Sequence, residues 1–297
     1  MNPHITTLKT YQAWQLKQPN YSASTFAIYF KITFNFLNRM GNQGLGRLND
    51  VNAEKVMEFI HFRKGHPPYS PASVKVRTAA LHLFFSWALS QRLVRDNPVV
   101  LYKRSRITSK EIPLKSALPK TRDLIFLNNK EQKMVLHHPI SKDFLDIRNR
   151  SIITLLLASG LFIEELISLS NKELCLKQGS IEIKGLNRKE RKVYLNVALC
   201  EVDYKNWLKI HPLKACDNFP LFITRKLKPL SIRALYNIVS QYLHSVGIQK
   251  KWGANILRQT AIINAIRAGD SIEKIQKNFG IQSYEHAKTY TSYSLES

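Results

Sequence analysis

Acidic residues are scarce in this sequence. Its 297 residues carry 21 Asp and Glu against 45 Lys and Arg, a net charge of +24. A surplus that large points to a polyanion as the partner. Cysteine is scarcer still. Cys175, Cys200 and Cys216 are odd in number and widely spaced, which excludes a disulfide framework and fits a reducing compartment. They are expected as buried, inert thiols. Long apolar runs are missing. A stretch such as Ile152–Ala158 is far short of the roughly 20 residues of a membrane-spanning helix, so no membrane partner is expected. The opening Met1-Asn2-Pro3-His4 lacks a basic-then-apolar leader layout. The expected location is cytoplasmic. His66, His137 and His138 stand apart from any ligand partner, so neither a metal nor another cofactor is expected.

The apolar fraction of 44% is enough for sizeable cores, and the length suggests two domains. The first hundred residues read as helices. Ser22-Ala-Ser-Thr25 caps a helix carrying Phe26, Phe30, Phe36 and Leu37, and Asn52-Ala-Glu opens a second. Ser70-Pro71 starts the clearest one, with Leu83, Phe84, Trp87 and Ala88 at helical spacing, and Asn97-Pro98 closes it. Trp87 and Trp207 read as core. The stretch 103–122 holds Lys103, Arg104 and Arg106 with Pro113 and Pro119 and has little periodicity. It reads as a basic linker, either a solvated hinge or a strap across a phosphate backbone.

Helical spacing resumes at Lys130 and covers Arg148–Leu157 and Glu164–Leu169. The period then changes to two in Ser180–Ile183 and Val193–Leu195, which flank a very basic tip. That is a β-hairpin. Helices return over Cys200–Ile210, Ile232–Val246, Leu257–Ala268 and Ile272–Phe279. The reading is an N-terminal arm at 1–20, a helical domain at 21–102, the linker at 103–122 and a mostly helical domain at 123–297.

The segment Leu156–Leu169, LLASGLFIEELISL, resembles the first conserved box of the tyrosine recombinases, the phage-type and Xer-like integrases. In that family an arginine follows Gly-Leu; here Phe162 does. The hairpin resembles the family's next landmark, and ungapped alignment on Gly185 and Lys189-Glu190-Arg191 puts Leu186 at the lysine position. The third landmark, His-x-x-Arg-His, reads Asn255-Ile-Leu-Arg258-Gln259. A later His or Trp position holds Ile281, and Tyr290 falls at the nucleophile position. Val74–Pro98 is similar to the last helix of the family's core-binding domain.

This resemblance implies a mainly α fold with a small β-hairpin or sheet, arranged as a two-domain DNA clamp. A helical, SAM-like core-binding domain precedes a recombinase catalytic fold. It implies double-stranded DNA as partner, with a second recombinase or self-association on DNA, and no cofactor. The implied reaction is attack of the tyrosine on a scissile phosphate, giving a covalent phosphotyrosyl intermediate. Arginine forks stabilise the phosphorane, a lysine protonates the leaving oxygen, and a basic neighbour assists the phenol. Tyr290 and Arg258 fill two of six such positions. Phe162, Leu186, Asn255 and Ile281 occupy the other four, with Lys184 and Lys189 as substitute lysines. Arg188, Arg191, Lys103, Arg104 and Arg106 are the expected DNA contacts. Three functions follow: a divergent recombinase that is weak or inactive alone, a non-catalytic DNA-binding regulatory or architectural factor, and a silent subunit of a mixed recombinase complex. The plain alternatives are a surface tyrosine at 290 and a solvated or ion-paired arginine at 258.

Overall fold

Helix caps predicted from sequence appear at their places in a computed structural model of the chain, which describes residues 4–18, 21–62, 65, 67–102, 124–184, 190–249 and 255–294. The chain divides into two compact units, Met1–Ala117 and Leu118–Ser297.

In the first unit, α1 (Ile5–Gln15), α2 (Ala23–Asn42), α3 (Ala53–His61) and α4 (Pro71–Ser90) share one core. Ser22, Asn52 and Ser70 each accept from the backbone N–H three residues on, satisfying donors that helix starts leave orphaned. Pro71, with its preset φ, opens α4. The core is aromatic. Phe36, Phe84, Phe85 and Trp87 are buried, with Phe36 and Phe59 edge to face at 5.0 Å. Arg39 pairs with Glu58 and ties α2 to α3.

The residues read as an N-terminal arm need correcting. Residues 5–15 form α1, and Leu8 and Tyr11 are buried in the core with α2 and α4. The signal was missed because only a few apolar residues of ITTLKTYQAWQ face inward, and they leave almost no helical stripe. The basic stretch 103–122, with Lys103, Arg104 and Arg106, lies outside the described residues.

The second unit is built around α6 (Phe144–Ser159), in which every residue from Ser151 to Ser159 is buried. A helix apolar on all sides belongs inside. Arg150 on this helix is also buried. Its Nε donates to Asp203 at 3.1 Å, and its Nη1 donates to the Val135 carbonyl and the Tyr242 hydroxyl, both at 2.6 Å. Against α6 pack α8 (Val197–Ile210), α9 (Ile232–Ser245) and α10 (Ile256–Arg267), and the unit also contains α5 (Asn129–His137), α7 (Ile163–Ser168), α11 (Ile272–Phe279), α12 (Tyr284–Lys288) and α13 (Thr291–Ser294). The expected hairpin is present as β2 (Ser180–Ile183) and β3 (Arg191–Tyr194), with Ile181 opposite Val193. A short β1 (Leu174–Cys175) adds a third antiparallel strand. The fold is thus mainly α with one small sheet, as the sequence implies.

Trp87 and Trp207 are buried. Of the cysteines, Cys200 is buried, Cys175 half-buried and Cys216 exposed, so the expectation of buried thiols fails for Cys216. Among the described residues no helix is long and apolar enough to cross a membrane.

His211 ends α8 with its ring 4.9 Å from that of Trp207 and 4.4 Å from that of Phe219. It is buried, and burial holds its pKa below the ordinary 6.5. The folded protein therefore keeps this ring neutral where the unfolded chain protonates it. The contribution to stability is present above 6.5 and is lost as pH falls below that value. Urea unfolding should show stability falling from about pH 7 to about pH 5, and His211→Phe should flatten that part of the curve.

Candidate active site

The site starts where α6 stops. Gly160 takes the left-handed conformation (φ 60°) and ends the helix. A Cβ there would overlap the Phe279 ring and lie 3.1 Å from the Ala261 Cβ. Glycine thus serves both the turn and the close approach. After Leu161, Phe162 is extended and α7 begins.

Arg258 lies in the first turn of α10 and is only 6% exposed. Its Nη1 donates to the Gly160 carbonyl and its Nη2 to the Phe279 carbonyl, each at 2.5 Å. Both acceptors lie at the C-terminal ends of helices, α6 and α11, where orphaned carbonyls concentrate negative potential. One guanidinium therefore caps two helices and binds both to α10. Its Cζ sits 3.7 Å from the centroid of the Phe162 ring, a cation–π stack. The Phe162 side chain thus offers its π face to the Arg258 guanidinium.

Tyr290 follows α12 and is 5% exposed. It packs in one cluster with Ala261 and Ile262 of α10, Phe279 of α11 and Ile281. Burial pushes its phenol pKa up, and the nearby charge of Arg258 opposes that rise. Tyr290 and Arg258 thus share one neighbourhood. The ring of His286, one turn earlier, lies 5.7 Å from that of Tyr290.

A second brace borders the site. Glu165 of α7 accepts two bonds from Arg191 of β3, at 2.6 and 2.9 Å, and both side chains are nearly buried. Glu165 also accepts from the Phe162 N–H at 3.0 Å. Arg191 Nε donates to the Asn278 carbonyl at 3.2 Å. The Asn278 side chain in turn accepts from the Tyr194 N–H at 2.7 Å and donates to the Tyr194 carbonyl at 3.3 Å, as a neighbouring strand would. Gly280, at φ 64°, leaves room for the Arg191 guanidinium, which would lie 3.1 Å from a Cβ placed there.

The other candidates fall in several places. Arg191, expected among the DNA contacts, instead points inward. An extended arginine at the end of β3 meets a buried carboxylate, and pairing with it outweighs exposure. Lys184 is exposed and pairs with Glu173 at 2.9 Å, which raises its pKa and keeps it charged. Asn255 is exposed just before α10. Ile281 is buried beside Tyr290. Leu186, Arg188 and Lys189 lie outside the described residues. Sequence reading passed over Glu165 as a partner for Arg191, Gly160 and Phe279 as the cradle of Arg258, and His286. Only His286 carried a local signal, its four-residue spacing from Tyr290.

The sequence model of the phage integrase family matches residues 125–296. The tyrosine recombinase XerC of Thermodesulfovibrio yellowstonii is 27% identical over 292 residues, covering 90% of this chain and 93% of the relative. In fold, the chain is similar to the XerH site-specific recombinase in a post-cleavage complex with a palindromic difH substrate. That match has a TM-score of 0.71 and 22% identity, and covers 98% of this chain and 82% of the other. A lambda integrase dimer bound to a COC′ core site matches with a TM-score of 0.67 and 14% identity, covering 98% and 96%.

Proposed function

Because the chain belongs to the phage integrase family of tyrosine recombinases, proteins of DNA recombination, we propose that it binds duplex DNA and acts in site-specific recombination or integration. Tyr290 is the nucleophile and Arg258 the phosphate contact. The carrying observation is that these two side chains come from separate helical segments to the same neighbour, Phe279, close enough for the guanidinium to act electrostatically on the phenol. The relatives solved on DNA and the net charge of +24 support duplex DNA as partner. The basic linker and the hairpin cations Arg188 and Lys189 are assigned to the phosphate backbone.

Cleavage by this chain alone is slow. Phe162 offers no hydrogen-bond donor, and losing one oxyanion donor typically costs on the order of 10²–10³ in rate. Lys184 or Lys189 stands in for the lysine absent at position 186, and no residue replaces the arginine absent at position 162. The test is covalent trapping on nicked duplexes tiled across the DNA flanking the gene. A Tyr290–DNA adduct is expected, absent in Tyr290→Phe, together with salt-dependent binding that falls linearly in log–log form. Binding without any adduct, even beside a complete partner recombinase, would overturn cleavage.

One observation favours a second reading, a non-catalytic DNA-binding factor or silent subunit. Both terminal nitrogens of Arg258 already donate to backbone carbonyls. Under that reading Tyr290→Phe leaves the biological role intact.

A further inference from the structure

Histidine is missing from each position where the family pattern places one near the reacting atoms. Asn255, Gln259 and Ile281 stand there, and none of these side chains exchanges a proton near neutrality. The phenol that must react is buried, which disfavours its anion. Arg258 opposes that effect but takes no proton. A proton acceptor is therefore needed, and among the described residues the imidazole of His286 packs against the phenol ring.

His286 lies on α12 four residues before Tyr290, so the two side chains share one side of the turn. Their ring centroids are 5.7 Å apart and the planes are tilted by 43°. The backbone of His286 is held at both ends. Its N–H donates to the Ser283 hydroxyl at 3.2 Å, and its carbonyl accepts from the Thr289 hydroxyl at 2.7 Å. The residue is exposed, so a captured proton can pass to water. Around the pair, α12 carries Glu285 and Lys288, and the packed α11 carries Glu273, Lys274 and Lys277. Tyr293 on α13 and Arg258 beside the phenol complete the set. The signs of these groups are mixed.

We infer that His286 accepts the phenol proton as Tyr290 attacks the scissile phosphate, taking over the task of the histidines absent at 255, 259 and 281. The inference rests on the strand-cleavage reading above. In the step, the Tyr290 Oη–phosphorus bond forms, the bond to the 5′-oxygen breaks, and the phenol proton moves to the neutral imidazole. The leaving oxygen takes a proton from water, and the imidazolium returns its own to water.

The experiment is single-turnover adduct formation on the nicked duplexes over the histidine titration range, for the wild type, His286→Ala and His286→Phe. The wild-type rate should rise with pH through one histidine-like ionisation. Both variants should lose on the order of 10²–10⁴ in rate along with that inflection, and added imidazole should restore part of the rate of His286→Ala. His286→Phe keeps an aromatic ring against Tyr290, so a merely structural role would leave it at the wild-type rate. That result, or an unchanged inflection in His286→Ala, overturns the inference. If the wild type forms no adduct, the cleavage reading falls, and NMR titration of His286 on duplex-bound full chain still decides the pairing. A titration curve that shifts in Tyr290→Phe supports it, and superimposable curves overturn it.

Discussion

Replacing Glu165 by alanine should lower the unfolding free energy of the C-terminal unit by about 3–5 kcal/mol, the usual result of leaving one member of a buried ion pair alone. Glu165 and Arg191 are both nearly buried and bond to each other twice. Removing the carboxylate strands the guanidinium among Gly280, Asn278 and the end of β3. It also removes the acceptor for the Phe162 N–H at the start of α7. The double variant Glu165→Leu with Arg191→Met should recover most of the loss, because apolar pairs commonly replace buried ion pairs without cost. Urea unfolding followed by circular dichroism measures both. A loss below about 1 kcal/mol in Glu165→Ala would mean that the pair behaves like an exposed one. Loss of the brace should also loosen the α11 end that holds Arg258, so adduct yield should fall more than stability alone accounts for.

Gly160→Ala should cost about 2–5 kcal/mol. Roughly 1–2 of that comes from the left-handed backbone, which alanine adopts poorly. About 1–3 comes from forcing a methyl into the Phe279 ring. The Phe279 Cδ1 would lie 2.7 Å from the new carbon. Phe279→Leu in the same chain should return the steric part and leave the backbone part, which separates the two. Because the Gly160 carbonyl accepts from Arg258, any shift there also moves the proposed phosphate contact. Single-variant stability within about 0.5 kcal/mol of wild type would show that the turn relaxes without penalty.

Much of this was readable one segment at a time. The helix starts at Ser22, Asn52 and Ser70 carry their own capping chemistry, and the change of period at Ser180 marks the sheet. Helical period also placed the apolar stripes of α9 and α11. α1 escaped because its few inward residues form no stripe, and β1 escaped because two residues are too short for a period to show. At the site, ordered boxes located Phe162, Arg258 and Tyr290 individually. Their mutual arrangement was out of reach. Arg191 looked like another tip cation because its carboxylate partner is far away in sequence. The close approach at Gly160 carries no local signal because the ring filling the space beside it belongs to α11.

The order and spacing of the boxes, the charge of one sign and the helix caps were set by the chain alone, since each depends on neighbours within a turn or two. The tertiary structure decided how one guanidinium came to cap two helix ends above a phenylalanine ring, why one cation of the hairpin turns inward, and which imidazole stands beside the phenol. Those outcomes depend on which carbonyls and carboxylates are left buried when the helices pack, and a buried polar group must find its partner wherever the fold brings one.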